Sequence, residues 1–142
     1  MTSVSSPLDV VQTLYAAFAR RDIAAMLSLL SPEVEWSEPE NPYNPAGGVR
    51  KGHAGFLEWA EIGRTTEDVE VLDIERFLAD AETVVAIGHI RCRAKTTGRR
   101  YESDFVHVIR VRAGLVTRFQ EFFDTYAAGE AFRDDAGPGP PP

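Results

Sequence analysis

Phe105-Val106-His107-Val108-Ile109-Arg110-Val111, Ala113-Gly114 and Leu115-Val116-Thr117-Arg118-Phe119-Gln120-Glu121-Phe122-Phe123-Asp124 together form the stretch that decides the fold. Two runs rich in β-branched and aromatic residues around a short Gly turn read as a β-hairpin. With Arg112 to Leu115 as the turn, the numbers of facing residues sum to about 227, and side chains alternate between two faces. One face then carries Phe105, His107, Ile109, Val116, Arg118, Gln120, Phe122 and Asp124. The other carries Val106, Val108, Leu115, Phe119, Glu121 and Phe123. Both faces are substantially apolar, so neither suits water alone. The first also sets a histidine and a carboxylate among aromatics, which makes it a candidate site.

Working outward, Val69 to Leu78, Thr83 to Ala94, Tyr101 to Arg112 and Leu115 to Asp124 read as four strands joined by short turns, hence as sequential antiparallel pairs. Pairing Ala94 with Arg99 places Ala86, Gly88, Ile90 and Cys92 beside Phe105 and His107, the more apolar set, assigned to a concave interior. Val85, Ile87, Val106, Val108, Phe119 and Phe123 fall on the convex face, and His89 lies opposite Asp104. An apolar patch of that size marks an interface, so a homodimer through the convex sheet face is expected.

Toward the N-terminus, Leu8, Val11, Leu14, Tyr15 and Phe18 recur at helical spacing after Ser6-Pro7, and a second helix follows Asp22 as N-cap. Glu33 to Ser37 alternates as a short strand, Glu38 to Gly48 reads as a long loop, and His53 to Gly63 forms a third helix. Thr125 to Phe132 adds a last helical turn. The fold class is α+β: a cone-shaped, curved antiparallel sheet wrapped around three N-terminal helices. The expected organisation is a flexible N-terminus over 1–7, one domain over 8–133 and a disordered Pro/Gly tail over 134–142.

The 142 residues are 44% hydrophobic and 26% charged, a globular composition, and the net charge of −7 disfavours a phosphate backbone as partner. No apolar run approaches the roughly 18 residues of a membrane span, and the first residues lack a signal-peptide pattern, so a cytoplasmic location is expected. One cysteine and three scattered histidines give neither a disulfide framework nor a metal site. No phosphate-binding Gly motif follows a strand, so no cofactor is expected.

The helical hairpin with Arg20-Arg21-Asp22 at its turn, Ser31-Pro32-Glu33-Val34-Glu35-Trp36, the Gly47-Gly48 and Gly52 loop, and the closing Gly114 and Phe122-Phe123-Asp124 hairpin resemble the nuclear-transport-factor-like superfamily. Within it, the chain over 8–133 is most similar to SnoaL-like and ketosteroid-isomerase-like proteins. That fold hosts isomerases, cyclases, dehydratases, epoxide hydrolases and binding domains, so the resemblance specifies fold more than chemistry. Where steroid isomerases place a base Asp, an oxyanion-hole Tyr and a protonated Asp, this chain has Trp36 (with Glu38 two residues on), Leu14 (beside Tyr15) and His107. The epoxide-hydrolase pattern matches only at Asp124, since Gly88 and Ile90 stand where its Arg and Asp belong. The cyclase pattern of a single acid/base Asp after two aromatics matches Asp124.

The resemblance therefore implies a small-molecule-binding domain acting without a cofactor on a hydrophobic carbonyl compound, by isomerase- or cyclase-type acid/base chemistry. Asp124 would exchange the proton and His107 would stabilise an enolate oxygen. Trp36, Glu38, Phe56, Trp59, Phe105, Gln120 and Phe122 would line the ligand site. In the unbulged register His107 faces Gln120, which leaves Asp124 roughly 13 Å away at ~3.3 Å per residue, at the other end of a ligand. Asp124 before Thr125 also has the pattern of a helix N-cap. The alternative function is a non-catalytic dimeric module that binds a ligand or serves structure alone.

Overall fold

The computed structural model describes residues 5–133; the expected tail over 134–142 and the first four residues of the expected flexible N-terminus lie outside them. Helix α1 (Pro7–Ala19) starts where the Ser6 side chain accepts from Asp9 N and proline occupies the first turn, and it buries Val10, Val11, Leu14 and Ala17. Arg21, at φ 58°, turns the chain into α2 (Ile23–Ser28), whose N-cap Asp22 accepts from Ala25 N. Strands β1 (Leu30–Glu38) and β2 (Gly48–Lys51) precede α3 (Gly52–Thr66). Then come β3 (Glu67–Asp80), β4 (Thr83–Ala94), β5 (Arg100–Arg112), β6 (Leu115–Phe123) and α4 (Thr125–Phe132).

The six strands form one curved, unclosed sheet in the order β2-β1-β6-β5-β4-β3, with the α+β cone architecture expected. Two features go beyond the sequence reading. The loop expected over Glu38 to Gly48 gives way at Gly48 to a four-residue edge strand antiparallel to β1. In addition, β1 pairs parallel with β6, Glu35 opposite Arg118 and Trp36 opposite Phe119. Parallel neighbours need a long crossover, and here everything from β2 to β5 supplies it.

Strand alternation turns Ala86, Ile90, Cys92, Phe105, His107 and Ile109 inward, and all are buried. Val10, Leu14, Trp36, Phe56, Val84 and Ile109 form the main core beneath the helices, while Ile90, Tyr101, Phe105 and Phe132 form a second cluster closed by α4. Gly88 lies opposite Phe105, whose ring occupies the space a side chain would need: a Cβ there would meet Phe105 Cζ at 2.6 Å and Asp73 O at 2.1 Å. The convex assignment of Phe119 and Phe123 is corrected. Phe119 is buried at 5% exposure against Trp36, and Phe123 packs in the second cluster.

Candidate active site

The correction originates in one residue. Ala113 and Gly114 both have positive φ (50° and 79°), as a two-residue hairpin turn requires, and Arg112 faces Leu115 as expected. Beyond Val111 opposite Val116 the register shifts, so that Arg110 faces Arg118 and every later pair sums to 228. Thr117 is the extra residue of the bulge, and its Oγ1 donates to Arg110 O at 3.3 Å. Because side chains alternate with period two, a slip of one exchanges the faces of the rest of β6. Phe119, Glu121 and Phe123 turn in, and Gln120 and Phe122 turn out.

His107 therefore faces Glu121 rather than Gln120. Its Nε2–H donates to Glu121 Oε2 at 2.7 Å, and the Tyr15 O–H from α1 donates to its Nδ1 at 2.5 Å, which fixes the tautomer by its partners. The ring is held between Phe105 (4.2 Å between centroids) and Phe119 (4.7 Å). Only 4% of the His107 side chain and 13% of Glu121 is exposed. Burial, and after it the charge of Glu121, raises the Tyr15 phenol well above its ordinary range, so it stays a neutral donor.

Two more carboxyls enter the same cavity. Glu38, at the end of β1, accepts from Trp59 Nε1 and from Asn44 Nδ2, both at 2.9 Å. Burial pushes its carboxyl up to about 8, helped by Glu121 and opposed by the two donors. Glu67, at the start of β3, accepts from Tyr101 O–H at 2.9 Å, and burial pushes it up to about 7, with Glu121 and Asp68 adding to the rise and the Tyr101 bond opposing it. The neighbouring Cys92 thiol is pushed up to about 12 by burial and then by Glu67, which leaves it a poor nucleophile. Tyr15, Glu38, Glu67, Tyr101, His107 and Glu121 line one apolar-walled cavity of about 70 Å³ with Trp36, Trp59 and Phe119. Trp36 Nε1 is buried without a hydrogen-bond partner among the described residues.

Of the residues expected from sequence, Trp36, Glu38, Trp59 and His107 meet at this cavity. Phe56 and Phe105 stand behind it, packed on Trp36 and on His107. Asp124, Gln120 and Phe122 do not line it, and Phe122 is 50% exposed. Asp124 caps α4, its carboxylate accepting from Ala127 N at 3.0 Å, while its own N–H donates to Ser103 Oγ. Sequence reasoning overlooked Glu67, Tyr101 and Glu121 and gave Tyr15 little weight. The available signal was the three-residue step from Val116 to Phe119, two buried side chains on one strand that strict alternation cannot place together. Among the described residues, no three His, Cys, Asp or Glu side chains are placed to hold a metal ion.

Comparison with known proteins finds a SnoaL-like domain model matching residues 11–119. An uncharacterised protein of Mycobacterium tuberculosis is 28% identical over 126 residues, 88% of this chain and 94% of that protein. An NTF2-like protein of Burkholderia xenovorans superposes with a TM-score of 0.83 at 28% identity, covering 92% of this chain and all of that one. TerC, co-crystallised with polyporic acid, superposes at 0.80 with 33% identity over 89% of this chain and 98% of its own.

Proposed function

Because the chain belongs to the SnoaL-like domain family, we propose that its cavity binds a hydrophobic carbonyl compound and exchanges protons with it by acid/base chemistry of the isomerase or cyclase type. The observation that carries this reading is the convergence, in one apolar cavity, of the Glu38 carboxyl with the Tyr15–His107–Glu121 chain. Glu38, pushed to about 8, titrates near neutral pH, where a group that takes and returns a proton works best. It takes over the acid/base role first expected of Asp124. It removes a proton alpha to the carbonyl, and the Tyr15 O–H turns from His107 Nδ1 to the developing enolate oxygen. Glu121 holds the imidazole in place throughout, so His107 serves as a positioning group behind Tyr15.

The molecule would act as a homodimer through the outward face of the sheet. Val85, Ile87, Val106 and Val108 share that face with Phe122, half exposed, and Leu78 at 45% exposure.

Exchange of deuterium into a panel of cyclic ketones and enones, followed by NMR with calorimetry for affinity, tests the chemistry. Glu38→Gln is expected to slow exchange by about 100-fold or more while affinity changes only a few-fold. Unchanged exchange in that variant would remove Glu38 from the mechanism. The cavity's 70 Å³, small beside the roughly 300–1,000 Å³ of common ligand pockets, favours the second reading, a non-catalytic module. Absence of both binding and exchange across the panel would establish that reading instead.

A further inference from the structure

Charge selects among the compounds such a cavity can take. Three carboxyls, Glu38 from β1, Glu67 from β3 and Glu121 from β6, look into a space walled by aromatic rings, and no Lys or Arg is among its described lining residues. Among those described lining residues the only basic group is His107, already engaged on both ring nitrogens. Arg93 and Lys95, which flank Ala94 opposite Glu67 in the sheet, pair with Asp68 outside the cavity. An anion entering here would find no Lys or Arg and would oppose ionisation of the three carboxyls, whereas an ammonium would favour their ionised forms in a space whose lining includes Trp36, Trp59 and Phe119.

Resting on the reading of this cavity as a ligand site, we infer that its ligand carries a basic nitrogen and is bound as an organic cation, its ammonium group seated among Glu38, Glu67 and Glu121 against the aromatic walls. A cation arriving among these groups draws protons off the carboxyls that burial and mutual repulsion hold protonated, Glu38 to about 8 and Glu67 to about 7. The remaining titratable groups facing them are Tyr15 from α1, Cys92 from β4, and Tyr101 and His107 from β5; Asn44 and Trp59 donate to Glu38 without titrating. Both phenols and the thiol are raised far above neutrality and keep their protons. Binding is therefore accompanied by proton release near pH 7, and affinity for a cation rises from pH 6 to pH 8.5.

Three compact probes of similar size, tetramethylammonium, tert-butanol and pivalate, carry charges of +1, 0 and −1. Titrating each into the intact protein, with calorimetry in two buffers of different ionisation enthalpy, separates charge from shape. Trp36 and Trp59, the chain's two tryptophans, both line the cavity and report occupancy by fluorescence. Tetramethylammonium is expected to bind at least about tenfold more tightly than either other probe, with proton release, and Glu67→Gln to weaken it by about tenfold, a pKa unit's worth of interaction. Pivalate or tert-butanol binding as tightly as the cation, or polyporic acid binding more tightly, would overturn the inference while leaving the ligand site intact. Failure of every probe, with the cyclic ketones also unbound, would overturn the ligand-site reading and this inference with it.

Discussion

Glu38 and Glu67 show how a residue's surroundings set its charge and thereby the molecule's response to pH. Folding raises these carboxyls from 4.5 to about 8 and about 7. Between the unfolded and folded values, the folded chain holds protons that the unfolded chain has already lost. Their contribution is therefore most favourable at the acid end of that window and declines as pH rises. Thermal melts from pH 5 to 8.5 are expected to show a falling melting temperature, and the Glu38→Gln, Glu67→Gln double variant a flatter profile. At Asp124 the expected effect is local: Asp124→Ala loses a helix cap at about 1 kcal/mol in urea unfolding, Asp124→Asn costs little, and neither changes ligand affinity. That cap was legible in Asp124-Thr125, whereas the partnership of His107 with Glu121 was not. A bulge of one residue reverses which side chains face each other, and nothing local to His107 records it.

At the scale of elements, both ends of β4 and α4 and the closing pair of the last hairpin follow from pattern and turn chemistry, because those elements carry their own period and punctuation. Strand β2 does not, since Gly48-Val49-Arg50-Lys51 has no apolar alternation and owes its strand geometry to pairing with β1. The parallel contact of β1 with β6 is likewise a property of two distant segments rather than of either one. Packing within the sheet also sets narrow tolerances. Gly88→Ala would drive a methyl group into Asp73 O and the Phe105 ring that shields His107, and backbone cannot yield as a flexible side chain can. A loss of at least about 2 kcal/mol in denaturant unfolding is expected, together with altered Tyr15–His107 hydrogen bonding seen by NMR of the imidazole nitrogens.

For the whole molecule, the cone leaves one broad sheet face without helices, and its apolar centre is the basis of the proposed dimer. Phe122→Asp would place a charge in that face while its side chain stays clear of the cavity. Sedimentation velocity is expected to show a dimer for the parent chain and a monomer for the variant, with folding and ligand affinity retained; a monomeric parent chain would remove the dimer from the account. The pairing of Leu30 with Val116 also has a meaning in time. A ribosome adds about 5–20 residues per second, so β1 emerges seconds before the strand it must lie beside, and its inward Val34 and Trp36 wait through the synthesis of β2 to β5 without that neighbour. Until Phe119 arrives to cover Trp36 there is no enclosed chamber, so the chamber is acquired only after the four strands between its two walls have been made.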